Sequence, residues 1–93
     1  MNRRKLSEEE IAEKLKDLDG WTVKGKELTK RYEFENFAGS LEFVNKVGEI
    51  AEEHDHHPDI TFGWGYAEIA LTTHDTGGLT EFDFAVASAI DAT

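Results

Sequence analysis

A single proline constrains this chain more than any other residue. Pro58 follows His56-His57, and the residue before a proline is pushed out of the helical region. A helix arriving from the preceding segment must therefore end near His54–Asp55, with His57 extended. This fixes a helix-to-strand corner where histidine is densest. Of the 4 histidines, His54, His56 and His57 crowd against the proline, ringed by Glu52, Glu53, Asp55 and Asp59. Unperturbed histidine titrates at about 6.5, within reach of working pH. A corner can aim such side chains into a cleft and make a proton-transfer site. The same residues would equally suit a solvated loop after a helix.

The rest of the chain supplies elements on either side of that corner. Leu6 to Leu18 reads as a helix. Ser7 is its N-cap, Glu10 completes a capping box, and Leu6 with Ile11 has hydrophobic-staple spacing. Ile11, Leu15 and Leu18 form one stripe, and Asp19-Gly20 ends the element. Trp21–Lys24 is a short strand, Gly25-Lys26 a turn and Leu28–Phe34 a second strand. In that strand Leu28, Lys30, Tyr32 and Phe34 alternate with polar Thr29, Arg31 and Glu33. Asn36 can cap a helix over Phe37–Glu53, with Phe37, Leu41, Val44, Val47, Gly48 and Ala51 as its apolar side, widened by Phe43 and Ile50. Gly48 is expected to allow close approach to the sheet.

Beyond Pro58, Ile60–Trp64 forms a strand with Ile60, Phe62 and Trp64 on one face. Gly65-Tyr66 fits a type II′ turn, and Ala67–Thr73 returns antiparallel. There Ile69 and Leu71 share one face while Glu68, Ala70, Thr72 and His74 share the other, so His74 stands at a strand end. Surface exposure is the simplest account of a lone histidine in that position. Asp75–Gly78 is loop. Thr80 caps a last helix with Asp83 as its capping-box partner, a role that accounts for Asp83 by itself. Phe82, Val86, Ala89 and Ile90 are its expected buried stripe. The order α-β-β-α-β-β-α, with both strand pairs as hairpins, gives an α+β fold: a four-stranded antiparallel sheet with helices on one face. At 93 residues the chain is most simply one domain, 1–93. Its core would be small, so pairing through open sheet edges or the small-residue last helix is an economical way to bury more surface.

Charge narrows the function. All 10 Lys and Arg lie in residues 1–46, where 10 of the 20 acids balance them; residues 47–93 carry the other acids and the net charge of −10. Nucleic acid needs a cationic footprint, and the histidine half repels polyanions. A phosphorylated or carboxylated substrate is disfavoured there unless a neighbouring subunit supplies a cation, so a neutral, polar substrate, aromatic or not, fits better. No apolar run could span a bilayer and no signal peptide is evident, which makes the cytoplasm the default. With Cys 0 there is no thiol chemistry. Ser40 and Ser88 fall inside helices, and Gly77-Gly78 lacks the frame of a phosphate loop. Zinc has suitable ligand types here, but adjacent His56-His57 lack the i, i+4 spacing that puts two ligands on one helix face. Acid–base work by histidine remains, since a neighbouring carboxylate favours a protonated imidazole that can donate near neutrality.

The spaced pattern Glu52, His56-His57-Pro58, Trp64, His74, Asp83 resembles the signature of the pterin-4a-carbinolamine dehydratases. The likeness extends to Gly20-Trp21, Tyr32, Phe34, Phe37, Phe43, Ala51-Glu52 and Gly78-Leu79-Thr80, over roughly residues 18–91. Ile60 departs from it, because family members often carry an aromatic residue there. The resemblance implies dehydration of 4a-hydroxytetrahydropterin to quinonoid dihydropterin, a step in tetrahydrobiopterin recycling for aromatic amino acid hydroxylases, with no metal or other cofactor. It implies catalytic His56, His57 and His74. His56 and His74 would be the acid–base pair and His57 would orient substrate. Glu52, Pro58, Trp64, Thr73, Asp75 and Thr76 would complete the binding site, Glu52 by polarising a histidine. A homodimer or homotetramer is implied as well. Two other readings stay open: a partner-binding module like the family's animal dimerisation cofactors, and another pterin role related to molybdopterin.

Overall fold

In the computed structural model, which describes residues 3–93, Ser7 opens the first helix as its pattern predicts. Its hydroxyl accepts from the Glu10 amide at 3.1 Å, and the Glu10 carboxylate accepts from the Ser7 amide at 2.9 Å. Arg4 forks onto the same carboxylate at 2.8 and 2.7 Å. That fork, with the Ser7 backbone bond, holds the Glu10 carboxyl at about 2. Helix α1 covers Glu8–Leu15 and stops short of Leu18. Lys16, Asp17 and Leu18 each bond back three residues, which tightens the exit into a turn. Leu18 still packs on the core.

The remaining elements are β1 (Thr22–Lys24), β2 (Glu27–Glu33), α2 (Phe37–His54), β3 (Asp59–Gly63), β4 (Tyr66–Leu71) and α3 (Glu81–Asp91), with a single 3₁₀ turn at His74–Thr76 in place of the expected loop start. The sheet is antiparallel in the order β1-β2-β4-β3. The two hairpins join through β2 and β4, from Leu28 opposite Leu71 to Glu33 opposite Tyr66. Leu28, Ala67, Ile69 and Leu71 point to the helices and are buried with Val47, Val86 and Ile90. Arg31, Glu33, Thr61 and Glu68 stay exposed on the open face. This is the α+β arrangement expected, with β1 and β3 as free edges.

Four local expectations are corrected. The β3–β4 turn is Trp64-Gly65, because Gly63 pairs with Tyr66. Gly65 supplies the positive φ of 81° at the second corner position, so a type II′ turn, which needs it first, does not form. Trp64 is thus in the turn, 71% exposed, and not on a strand face. Helix α2 turns Ser40, Val47 and Ala51 inward, while Phe37 and Leu41 are exposed. Ser40 tolerates burial because its hydroxyl donates to the Asn36 carbonyl at 3.2 Å. Gly48 approaches nothing: a Cβ there would meet no atom within 4 Å. In α3 the buried set is Asp83, Phe84, Val86, Ala87 and Ile90, so Phe84 and Ala87 take the places expected of Phe82 and Ala89.

The C-terminal end of α3 is latched to the sheet by Asp91. Its carboxylate accepts from Trp21 Nε1 at 2.8 Å, Lys30 Nζ at 3.1 Å and Tyr32 Oη at 2.6 Å. Burial works against ionisation, but the bonds from Tyr32, Lys30 and Trp21 outweigh it and pull the carboxyl below its ordinary 3.8. Burial and the Asp91 charge push the Tyr32 phenol strongly upward, so it stays protonated and keeps donating. A carboxyl whose pKa is lower in the folded state stabilises the fold above its unfolded pKa and loses that contribution as pH falls through the folded value. Asp91→Asn should therefore destabilise the protein at pH 7, and the difference from wild type should shrink below about pH 3.8. Urea unfolding of both proteins at the two pH values measures it.

Candidate active site

Three separate corners of the fold meet at Asp83. Helix α2 ends at His54, and Asp55 adopts the left-handed conformation with φ 49°, returning its amide to Ala51 and Glu52. This reverses the chain into His56-His57-Pro58 and on to β3, as Pro58 requires. His56 is 7% exposed and its Nε2 lies 2.6 Å from Asp83 Oδ1. The second corner is the exit from β4, where the Thr73 hydroxyl donates to Asp83 Oδ2 at 2.8 Å. The third is the start of α3: the Thr80 amide donates to the same oxygen at 2.9 Å, and the Thr80 hydroxyl lies 2.9 Å from that of Thr73.

The capping box read from Thr80 and Asp83 is therefore present, but it accounts for only one face of the carboxylate. Asp83 is fully buried and holds His56 as well. A carboxylate oxygen accepts, which suits an N–H on His56 Nε2. Buried charges persist only when paired and hydrogen-bonded, and among the described residues no buried side-chain polar atom lacks a partner.

His57 faces outward, with Nε2 2.5 Å from Glu52 Oε2 on the last turns of α2. His74 begins the 3₁₀ turn. His56, His57, His74, Thr73, Asp75 and Arg3 converge on an open cleft of about 230 Å³. Pro58 does not line the cleft; it leads directly into β3. Thr76 does not line the cleft; its hydroxyl closes the turn onto the carbonyls of Thr73 and Gly78 at 3.1 and 3.0 Å. Trp64 lies at the opposite end of the β3–β4 hairpin, a strand length of about 17 Å away, and is not brought to the cleft. A larger cavity of about 620 Å³ opens beside Tyr32, Phe43 and Asp91, but no histidine lines it. Among the described residues no cluster of His, Asp and Glu is arranged to hold a metal ion.

Two residues of the site were not expected to line or support it: Asp83 stands in the spaced pattern but was given no site role, and Arg3 lies outside it. Asp83 looks fully explained by its cap; its apolar neighbours Phe82 and Phe84 were the available sign that it faces inward. Arg3 is remote in sequence, yet it lines the cleft with its guanidinium 4.9 Å from the Phe82 ring centroid. The histidine cleft is thus not devoid of Lys and Arg, contrary to expectation.

A family model described as pterin 4 alpha carbinolamine dehydratase matches residues 4–93. A relative in Rubrobacter xylanophilus, provisionally named pterin-4-alpha-carbinolamine dehydratase, is 49% identical over 92% of this chain and 81% of its own. One in Roseiflexus sp. with the same provisional name is 46% identical over 94% of each chain. A Brucella melitensis structure described as a transcriptional coactivator/pterin dehydratase superposes with a TM-score of 0.90 at 33% identity, covering 96% of this chain and 97% of that one. A pterin dehydratase-like protein identified as a RuBisCO assembly factor in the alpha-carboxysome superposes with a TM-score of 0.64 at 32% identity, over 77% and 83% of the two chains.

Thr73→Val keeps the shape of the side chain but removes a donor from a buried carboxylate and a partner from Thr80. Leaving such groups unsatisfied costs about 1–3 kcal/mol. Chemical denaturation should show a loss of that size, and an unchanged midpoint would remove Thr73 from the network.

Proposed function

The chain belongs to the pterin 4 alpha carbinolamine dehydratase family, and from that premise we propose that it dehydrates 4a-hydroxytetrahydropterin to quinonoid dihydropterin and water by histidine acid–base catalysis. The observation that carries this reading is the convergence of His56, His57 and His74 on one cleft, two of them already paired to carboxylates. The reaction breaks the bond between C4a and its hydroxyl. A general acid delivers a proton to that oxygen, which leaves as water. A base takes the proton from the adjacent ring nitrogen as the carbon–nitrogen double bond forms. No electrons are exchanged with a second reagent.

In this proposal His56 and His74 are the acid–base pair. Asp83 fixes the His56 ring through Nε2 and positions it without touching substrate. His57, held by Glu52, orients the pterin. Thr73 and Asp75 border the ring, with Pro58 and Thr76 shaping the walls through the corner and the turn. Trp64 would reach a pterin only from another copy of the chain. The setting proposed is tetrahydrobiopterin recycling in the cytoplasm beside an aromatic amino acid hydroxylase, with residues 1–93 working as one domain. Among the described residues no helix is long and apolar enough to cross a membrane.

A homodimer or homotetramer is proposed with it. Among the described residues Phe37, Leu41 and Trp64 are the exposed large apolar side chains, and Phe37 lies near Phe62 on edge strand β3 with ring centroids 5.7 Å apart. The same patch would serve a partner-binding role, the second reading, which the coactivator and assembly-factor descriptions of two similar structures favour. The last helix, whose apolar residues are spent inside the core, is the weaker candidate surface.

Single replacement of His56, His57 and His74 by Ala should slow dehydration of 4a-hydroxytetrahydropterin by unequal factors, the largest about 10²–10⁴-fold. Quinonoid product absorbance follows the reaction, and circular dichroism checks folding. Three fully active variants would end the proposal.

A further inference from the structure

The segment before α1 lies across the loop that carries His74. Leu6 is 4% exposed and its amide donates to the Leu79 carbonyl at 2.8 Å. The stem of Lys5 crosses Gly78 so closely that a Cβ there would sit 2.8 Å from Lys5 Cε. Arg3 is thereby delivered to the mouth of the cleft. Its guanidinium lies over the Phe82 ring, and Phe82 in turn approaches His56 with ring centroids 5.9 Å apart. A cation over an aromatic face is held in place without consuming its hydrogen-bond donors.

We infer that Arg3 is a specificity-determining residue of this cleft, selecting pterins whose side chain carries an anionic group, a carboxylate or a phosphate. The inference rests on the dehydratase reading for the pterin and on Arg3 for the anion, and it extends the substrate class beyond tetrahydrobiopterin, whose side chain is neutral. Residues 47–93 contain no Lys or Arg, and Arg3 is the one such residue among the described residues lining the cleft. Its counter-ion Asp75 stands 3.6 Å away, beyond hydrogen-bond distance, and is 75% exposed, free to swing aside. The other acids nearby are engaged: Glu52 by His57, and Asp83 by His56, Thr73 and Thr80. Asp55 alone stays unengaged on the cleft wall and lowers the gain without removing it. A guanidinium fork recognises carboxylate and phosphate in bidentate geometry.

Stable, fluorescent pterins test this without relying on turnover. Binding of 6-carboxypterin is compared with 6-methylpterin, and 6-hydroxymethylpterin phosphate with 6-hydroxymethylpterin, by fluorescence titration at low salt. Wild type should bind the anionic member of at least one pair about threefold to fivefold more tightly, the range of a half-exposed ion pair. The pair that discriminates tells carboxylate from phosphate. Arg3→Gln should bring that ratio to unity or below. Lys5→Met, which removes a like charge from the same segment, should leave it in place, and raised salt should erase it. Equal binding of both members by wild type, or a preference that survives Arg3→Gln, overturns the assignment of Arg3 and leaves the dehydratase reading intact. A folded protein that binds no pterin overturns both.

Discussion

One buried carboxylate holds the working end of this molecule together. Asp83 accepts from an imidazole, a hydroxyl and a backbone amide, and each donor comes from a different turn of the chain. The corner after α2 is polar, the exit from β4 is a pair of threonines, and the start of α3 is a cap. Removing a charged group from water is costly, and only a complete set of donors offsets it. The network therefore forms as a unit or not at all. Its reward is positional: His56 is held through Nε2 at the wall of the cleft.

The remaining histidines show a graded use of the same device. His57 also meets a carboxylate, but Glu52 is exposed and within the same helix-to-strand turn, so that pair can rearrange when a ligand arrives. His74 rests on a single 3₁₀ turn, closed from within by the Thr76 hydroxyl and pressed from outside by the segment before α1. A rigid, a movable and a loop-borne imidazole thus share a space of about 230 Å³. Positioned groups with different freedom suit a reaction that needs one proton delivered and another removed.

Much of this was legible from residues alone, for reasons that differ by element. Ser7 with Glu10, and Thr80 with Asp83, are local chemistry, and both capping boxes form where they were expected. Pro58 acts on its immediate neighbour, so the α2–β3 corner could be placed to within a residue at each side. What failed to show was set by contacts distant in sequence. The inward face of α2 is chosen by packing on the sheet, and Ser40 passes inward because its hydroxyl bonds to Asn36, which a hydrophobic count does not register. The β3–β4 turn shifted by one residue because either side of Gly65 gives a plausible hairpin, and only the pairing of Gly63 with Tyr66 decides. Asp83 was hidden behind a sufficient local explanation, and Arg3 by the whole length of the chain.

Helix α3 is moored at both ends, by Asp83 at the cleft and by Asp91 on β2 and Trp21. The two ends of the described chain consequently differ in what they neighbour. The first described residue, Arg3, lies at the cleft mouth, whereas Thr93 follows directly after the distal mooring. A bulky label attached to the Arg3 side chain would sit beside the histidines and compete for their space. One attached to Thr93 would lie at the opposite end of α3, with the length of that helix between it and the chemistry.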